Sequence, residues 1–361
     1  MKAAVMRALK APLEIESIEV VPPAAHEVLV RTVACGVCHS DLHIIEGALP
    51  HALPAVLGHE PAGIVEAVGA EVRQFAPGDH VIGCLSVFCG SCEYCISGRP
   101  HLCGGDATMR GPGQAPRLSK GGEPIAQFAH LAAFAERMLV HENALVKIRA
   151  DMPLDRAALI GCGVTTGLGA ALNTARVRPG QTAAVIGCGG VGLAIIQGCR
   201  IAGAGRILAL DTQDWKLDLA KQLGATDGVN TSHGNPVAQV VEMTAGGVDY
   251  AFEAIGLAAT VRQAVRMTRK GGATVMVGVV PAGTNVELPA ADITLREKTI
   301  LGCMMGSNRF RLDMPRYVDL YLRGVLKLDE MISARLPLAR VNDALDALRQ
   351  GTAARSVVVF E

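Results

Sequence analysis

Aromatic residues and net charge are both scarce in this 361-residue chain. Only 3% of the residues are Phe, Trp or Tyr, and 34 Lys and Arg balance 34 Asp and Glu. Proteins that bind nucleic acid usually carry a basic excess, so its absence argues against a nucleic-acid partner. The first 21 residues contain six charged side chains and therefore no apolar core of the kind a secretion signal needs.

Hydrophobic residues and glycine are abundant instead. Half of the chain is hydrophobic and 41 residues are Gly, which suits two globular domains with tight βα turns. The uncharged segment 180–199 is long enough to cross a bilayer, but its six glycines favour a buried strand, turn and helix. We therefore predict a cytoplasmic protein without a membrane partner, whose eleven cysteines are thiols or metal ligands rather than disulfides.

The pattern of predicted strands and helices changes near residue 163. Before it, short alternating runs such as 28–32 and 63–68 predict an all-β module, and the Gly- and Pro-rich segment 104–124 predicts a long surface loop. After it, apolar strands alternate with helical segments. That alternation predicts a doubly wound parallel sheet with right-handed crossovers.

Four cysteines lie close together in the segment 89–103, with the spacing C-x2-C-x2-C-x7-C. Four thiolates in one short loop suit a closed tetrahedral zinc site that orders the loop. An iron–sulfur cluster also uses four cysteines, and CxxC pairs occur in redox proteins, although no thioredoxin-like βαβ unit surrounds these. The predicted ligands of this structural zinc are Cys89, Cys92, Cys95 and Cys103.

Three more residues of metal-binding type are scattered along the chain. Cys38 begins the sequence Cys-His-Ser-Asp-Leu-His, His59 lies in Gly-His-Glu, and Cys162 lies in Gly-Cys-Gly. Taken singly, a buried Cys is commonly an inert hydrophobe, and no local rule joins these three places. Taken together, they offer two thiolates and one imidazole and leave a fourth position for water or substrate, which is typical of catalytic zinc.

A glycine-rich turn between a strand and a helix predicts a dinucleotide site. The turn at 187–192 follows the apolar run 183–186, and Asp211 ends the next strand, 19 residues after the last glycine of the turn. The helix N-terminus favours a pyrophosphate, while Asp211 would accept ribose hydroxyls and repel a 2′-phosphate, so NAD is preferred to NADP. Lys216 either contacts the ribose or faces solvent. The turn residues predicted to bind the coenzyme are Gly187, Gly189, Gly190, Val191 and Gly192.

These features resemble the zinc-containing alcohol dehydrogenases of the medium-chain dehydrogenase/reductase family. The most specific match is GHEPAGIVEAVGAEV at 58–72, which fits the family signature G-H-E-x2-G-x5-G-x2-V. The resemblance implies an α/β plus β fold with a GroES-like catalytic domain, residues 1–163 and 305–361, and an inserted Rossmann coenzyme domain, residues 164–304. It also implies a homodimer.

The resemblance further implies roles for individual residues. Cys38, His59 and Cys162 would hold a catalytic zinc, and the four-cysteine loop would hold a second, structural zinc. The residues implied to act in catalysis are Ser40 beside the reacting oxygen, His43 at the outer end of a proton relay, Asp41 as partner of the zinc-binding histidine, and Glu60 behind the zinc. Further coenzyme contacts are implied for His39, Thr166, Val277 and Arg355.

The function implied is the interconversion of a primary alcohol and its aldehyde by hydride transfer to or from NAD. Leu49 and Leu85 would line the substrate pocket, and Leu85 stands where many relatives carry an aromatic ring, which favours a bulky or aromatic alcohol. A different substrate would be the glutathione adduct of formaldehyde, whose carboxylate Arg110 or Arg117 would meet. A protein that binds NAD and zinc without activity, and a zincless quinone reductase, are two further interpretations.

Overall fold

The chain folds into two compact units, and the second is inserted into the first. The computed structural model describes residues 1–111 and 113–361. Unit 1 comprises Met1–Cys162 and Arg309–Glu361, and unit 2 comprises Gly163–Asn308. Unit 1 is therefore completed only when the C-terminal segment returns to it.

The first part of unit 1 is rich in strands. Its described strands are β1 (Lys2–Met6), β2 (Glu14–Ser17), β3 (Glu19–Val20), β4 (Glu27–Gly36), β5 (Ala55–Val56), β6 (Glu60–Val68), β7 (His80–Gly83), β8 (Leu118–Lys120), β9 (Glu123–Pro124), β10 (Ala126–Gln127), β11 (Arg137–His141) and β12 (Leu145–Lys147). Its α-helices are α1 (His39–Ile45), α2 (Glu93–Ile96) and α3 (Leu154–Leu159).

Unit 2 alternates strands and helices. After α4 (Thr165–Gly169) come β13 (Thr182–Ile186), α5 (Gly190–Ile201), β14 (Arg206–Asp211), α6 (Asp214–Leu223), β15 (Asp227–Asn230), α7 (Pro236–Met243), β16 (Val248–Glu253), α8 (Ala258–Met267), β17 (Thr268–Met276), α9 (Ala290–Leu295) and β18 (Thr299–Gly302). The C-terminal segment of unit 1 adds α10 (Phe310–Leu322), β19 (Ile332–Pro337), α11 (Val341–Arg349) and β20 (Arg355–Val359).

The main sheet of unit 1 joins both ends of the chain. Its order is β12-β7-β6-β4-β20-β19, and β11 also pairs with β4. Strand β20 lies antiparallel to β4, with Val358 opposite Cys35. Because β4 is bordered by strands on both edges and packed on its faces, most of its side chains are buried. Cys38, two residues after the end of β4 and directly before α1, is thereby held at the end of a well-supported strand.

The sheet of unit 2 is parallel, in the order β15-β14-β13-β16-β17-β18. The central strand β13 reads Thr-Ala-Ala-Val-Ile, a near-continuous apolar run that suits a strand covered on both faces. The chain builds outward from β13 on one side and then restarts beside it with β16. In such sheets ligands bind outside the carboxyl ends of the strands, at the point where the order reverses.

The uncharged segment 180–199 is a strand, a turn and most of a helix, as expected. In the C-terminal segment, helix α10 continues through Pro315. In the described part of the chain, one helix, Leu154–Ala175, has the length and hydropathy to cross a membrane, and 83% of its 18-residue apolar window is buried inside the protein.

The segment expected to be a long surface loop, 104–124, contains two short strands and is anchored to the main sheet by a buried carboxylate; Pro112 lies outside the described residues. Glu27, at the start of β4, is 3% exposed. It accepts hydrogen bonds from Arg110 Nε at 2.9 Å and from Arg117 Nε at 2.7 Å. Burial alone would raise the pKa of Glu27, but the hydrogen bonds from Arg110, from the Ala24 N–H and from Arg117 outweigh it and lower the pKa to about 2.

Replacing Glu27 by Gln should destabilise unit 1, because two guanidinium groups lose their shared buried carboxylate. We expect a loss of about 3–5 kcal/mol at neutral pH, measured by urea unfolding. The exposed carboxylate Glu71, which pairs with Arg73 at 3.7 Å, provides the control, and Glu71→Gln should change stability by less than about 1 kcal/mol.

The pH dependence of that loss follows from the lowered pKa. Because the folded-state pKa of Glu27 lies below its ordinary value of 4.5, its stabilisation is present above about pH 4.5 and is lost as the pH falls towards 2. The difference in stability between wild type and Glu27→Gln should therefore shrink over that range. Equal stability of the two proteins at pH 7 would contradict the anchoring role.

Candidate active site

Three distant segments of unit 1 bring metal-binding side chains together. Cys38 precedes α1, His59 precedes β6, and Cys162 lies in the π-helical turn Ile160–Val164 that continues α3. One ligand atom from each of them, and one from Glu60, all lie within 4.8 Å of one another, and all four residues are buried. The three residues predicted from the sequence as one metal-binding set therefore share one place.

The His59 ring is oriented by a buried carboxylate. Its Nδ1 lies 3.2 Å from Asp41 Oδ1, while its Nε2 is buried and has no hydrogen-bond partner in the described part of the chain. Burial lowers the pKa of His59, but the charge and hydrogen bond of Asp41 raise it more strongly, to about 10. A pKa this high implies a protonated His59 ring when no metal is bound. A metal ion bound by His59 would displace that proton.

The chemistry of the donors fits zinc. The pKa of Cys38 is lowered by the hydrogen bond from Cys162, against the effect of burial, and the pKa of Cys162 is raised by the same interaction. A thiolate, a second thiol and an unpartnered imidazole nitrogen in one buried cluster form a set of soft donors that zinc prefers. Zinc bound by these three residues would keep a fourth position open.

Glu60 lies behind this set and is paired with Arg355. The Arg355 guanidinium donates to Glu60 Oε2, and both side chains are almost fully buried. A Cβ at Gly36 would overlap the same carboxylate oxygen, so the strand β4 needs glycine there. Glu60 Oε1 has no hydrogen-bond partner. Arg355, expected to face the coenzyme, is thus placed on the carboxylate beside the predicted metal ligands.

Helix α1 carries the predicted proton relay. Ser40 and His43 are three residues apart, so they lie on the same face of the helix, and both are half-buried. Cys38 Sγ lies 3.9 Å from Ser40 Oγ. His39 is exposed at the first position of α1. The hydroxyl of Ser40 is therefore next to the thiol cluster, and the imidazole of His43 lies one turn further along.

The four-cysteine loop forms a second cluster, also within unit 1. Cys89, Cys92, Cys95 and Cys103 each place a sulfur within 4.8 Å of the others, and all four are half-buried. Backbone N–H groups point at the sulfurs, including those of Ser91 and Cys92 at 3.4 and 3.3 Å from Cys89 Sγ. Hydrogen bonds from Ser91 and Cys92 lower the pKa of Cys89 to about 6. Four donors around one point fit a closed zinc site.

In unit 2, the glycine turn lies at the carboxyl end of the central strand, between β13 and α5. Gly187 has a φ of 94°, a conformation that favours glycine, and a Cβ at Gly192 would overlap the Gly187 carbonyl oxygen. Asp211, at the end of β14, accepts a hydrogen bond from the Cys188 N–H at 2.8 Å and another from the Gln213 N–H at 3.1 Å. The predicted ribose carboxylate is therefore attached to the glycine turn.

The remaining predicted coenzyme residues lie elsewhere in unit 2. Thr166, in α4, is buried and donates to Met305 Sδ at 3.3 Å, and the Val277 N–H donates to the Glu253 carbonyl at 2.9 Å. Sequence reasoning missed Glu253 itself, whose Oε1 accepts the N–H groups of Ile255 and Gly256 at 3.0 and 2.8 Å. The sequence signal that could have indicated Glu253 is an acidic residue at the end of the apolar strand β16, which pairs with the strand before the glycine turn.

Known proteins share both the sequence and the fold. The description "Alcohol dehydrogenase GroES-like domain" matches residues 24–150, and "Zinc-binding dehydrogenase" matches residues 190–323. The class-3 alcohol dehydrogenase of Drosophila melanogaster is 42% identical over 369 residues, which cover 99% of this chain and 97% of that protein.

Two solved structures extend this likeness over the fold. Benzyl alcohol dehydrogenase from Acinetobacter calcoaceticus is 34% identical with a TM-score of 0.94, covering 100% of this chain and 99% of that one. A putative zinc-binding dehydrogenase from Sinorhizobium meliloti, bound to NADP, is 30% identical with a TM-score of 0.85, covering 99% of both chains.

The matched domains and the clustered thiols define a zinc-binding, nicotinamide-dependent oxidoreductase with a GroES-like unit and a Rossmann unit, so the predicted fold class is confirmed. More specifically, the chain belongs to the zinc-containing alcohol dehydrogenases of the medium-chain dehydrogenase/reductase family. The predicted enzyme class, alcohol dehydrogenase, is confirmed with it.

The glycine turn offers a test that separates folding from coenzyme binding. Gly192→Ala should lower the unfolding temperature and weaken coenzyme binding at least about tenfold, because its methyl group overlaps the turn backbone. Gly189→Ala, whose methyl group would meet nothing within 4 Å, should keep the unfolding temperature of the wild type. The measurements are thermal unfolding and calorimetric titration with NAD. Wild-type behaviour of Gly192→Ala in both would refute the role of this turn.

Proposed function

We propose that this chain interconverts a primary alcohol and its aldehyde with NAD, using a catalytic zinc held by Cys38, His59 and Cys162. The observation that carries the proposal is the buried His59 ring, whose Nε2 has no hydrogen-bond partner among the described residues and one of whose nitrogens lies within 4.8 Å of the sulfurs of Cys38 and Cys162. An unpaired polar atom in such a place is costly unless a ligand satisfies it. Zinc supplies Lewis-acid chemistry towards a bound oxygen.

The side chains around the cluster have separate tasks in this proposal. Asp41 fixes the His59 ring through Nδ1, so that Nε2 faces the two thiols. Ser40 Oγ takes the proton of the alcohol and passes it towards His43, which is half-buried and in reach of solvent. Bound NAD would supply the hydride acceptor, and the side chains of unit 1 would orient the alcohol.

We assign the four-cysteine loop a second zinc with a structural task. Four sulfurs fill the coordination sphere of a tetrahedral ion, so no position remains for substrate. The loop is short of other support, since none of its four cysteines is fully buried. Bound zinc would therefore order residues 89–103 without entering the reaction.

The coenzyme in this proposal is NAD. The Asp211 carboxylate, at the end of β14, lies beside the glycine turn where the adenosine ribose of a dinucleotide would be bound. A carboxylate accepts hydrogen bonds from the two ribose hydroxyls and repels a 2′-phosphate. The similar protein from Sinorhizobium meliloti is bound to NADP.

The substrate is the least constrained part of the proposal. Because the curated relatives carry the class-3 name, they favour the glutathione adduct of formaldehyde over the bulky alcohol. The arginines considered for its carboxylate are engaged, since both Arg110 and Arg117 bind the buried Glu27. We therefore take the adduct as the first substrate, held by groups other than these two.

A bulky or aromatic alcohol is the second candidate. The similarity to a benzyl alcohol dehydrogenase favours it, as does Leu85, which is partly buried against the core of unit 1 together with Leu49. A leucine at this position occupies less width than an aromatic ring. The space it leaves suits a substrate with a ring of its own.

The two thiol clusters should respond differently to mutation. Cys38→Ser should lower kcat at least about 1,000-fold, because the metal loses a ligand, while the dissociation constant for NAD stays unchanged. Cys95→Ser should remove one zinc per chain and increase proteolysis of the loop. Zinc content by atomic spectroscopy and titration with NAD are the measurements, and Cys199→Ala, a buried thiol outside both clusters, is the control. Equal loss of NAD binding and turnover in Cys38→Ser would mean that Cys38 only supports the fold.

A substrate panel should separate the two candidates. We expect kcat/KM, followed through NADH absorbance, to be at least about tenfold higher for the glutathione adduct of formaldehyde than for benzyl alcohol. A kcat/KM that is higher for benzyl alcohol than for the adduct would select the bulky alcohol. Leu85→Phe narrows the site and should reduce activity with benzyl alcohol more than with ethanol. No NADH from any alcohol, with NAD still bound, would select an inactive binding protein.

A further inference from the structure

We propose that Ser91 retains the metal ion of the four-cysteine loop by donating hydrogen bonds, from its hydroxyl and from its N–H, to the Cys89 sulfur. This inference rests on the structural zinc proposed for the loop. Ser91 supplies none of the four clustered sulfurs and acts through Cys89. Its role is therefore that of a positioning residue for a metal ligand.

The backbone turns tightly between Cys89 and Cys92. Gly90 has a φ of 84°, in the left-handed region that favours glycine, although a Cβ there would meet nothing within 4 Å. The turn brings the next two N–H groups back to the Cys89 sulfur, which lies 3.4 Å from the Ser91 nitrogen and 3.3 Å from the Cys92 nitrogen. Two donors to this sulfur are thus fixed by the backbone.

The Ser91 hydroxyl is a third donor to the same sulfur. Its Oγ lies 3.7 Å from Cys89 Sγ. The sulfur of Cys103 also accepts two N–H groups, from Cys89 at 3.3 Å and from Gly105 at 3.4 Å, but both of these come from the backbone. The side-chain donor of Ser91 therefore distinguishes the Cys89 sulfur from that of Cys103.

Hydrogen bonds to these sulfurs matter because of charge. Four thiolates around one Zn²⁺ give the site a net negative charge, and hydrogen-bond donors stabilise such an acceptor. Groups that hydrogen-bond to metal ligands typically change metal affinity by about 10- to 100-fold. Because Ser91 is exposed, its hydroxyl competes with water, and we expect a smaller effect of about fivefold.

The test follows the release of zinc from the full-length protein into an excess of a chromogenic chelator. Cys38→Ser serves as the parent, because the other cluster then lacks a ligand and the zinc that remains bound belongs to the loop. In this parent, Ser91→Ala should release zinc about fivefold faster, since the hydroxyl is lost while the backbone donors remain. Ser91→Thr keeps a hydroxyl and should restore the parental rate.

Cobalt(II) in place of zinc reports on the sulfurs themselves. Loss of a hydrogen bond makes the sulfur electrons easier to excite, so the sulfur-to-cobalt charge-transfer band should move to longer wavelength in Ser91→Ala. A serine that only supported the fold of the loop would not move this band. Ser97 donates to the Tyr94 carbonyl oxygen at 3.2 Å, so Ser97→Ala removes a hydroxyl from the same loop and should keep the parental rate and band.

Three results would overturn this inference or the assignment beneath it. A parental release rate or a parental band position in Ser91→Ala would overturn the role of Ser91 while the loop still binds zinc. An equal increase of the release rate in Ser97→Ala would do the same, because any hydroxyl of the loop would then have this effect. A parent protein that binds no zinc in the loop would overturn the proposed structural zinc itself.

Discussion

The Asp41 carboxylate joins the segments on which the active site depends. It accepts the N–H of Cys38 at 3.1 Å and that of Gly58 at 3.0 Å, and it lies 3.2 Å from His59 Nδ1. Two of the three predicted metal ligands are therefore positioned by one buried group. In a low-dielectric interior, a carboxylate whose hydrogen bonds are all formed favours a single arrangement of its partners. A buried carboxylate with unsatisfied hydrogen bonds would instead cost stability.

Local sequence patterns were sufficient to predict that the four cysteines of the loop, and the glycines of the turn, lie close together. Each set lies in one short segment, so the spacing of its residues limits the geometry. The residue types of Cys38, His59 and Cys162 suggested a metal-binding set, but nothing local joins residues so far apart, and only the family resemblance implied that they hold one ion. The partners of Arg355, Arg110 and Arg117 were missed for the same reason. Pairing of distant charges depends on the sheet that brings Glu60 and Glu27 to them.

The fold explains why the sequence constrains the predicted coenzyme residues more than the substrate residues. In unit 2, a parallel sheet fixes where its loops meet, and the turn after β13 and the acid ending β14 follow from chain order. In unit 1, the prospective pocket residues Leu49 and Leu85 come from separate connections. The size of these two leucines limits the width of a substrate pocket, but it does not determine which substrate groups contact them.

The two thiol clusters differ in how much of the chain each requires. All four cysteines of the loop have been synthesised once residue 103 has left the ribosome, so this site can acquire its ion from a short nascent segment. The other cluster draws on residues from 38 to 162. Its sheet is completed only by β20, near the C-terminus. The loop therefore needs only a short part of the chain, whereas the second cluster and its sheet need nearly all of it.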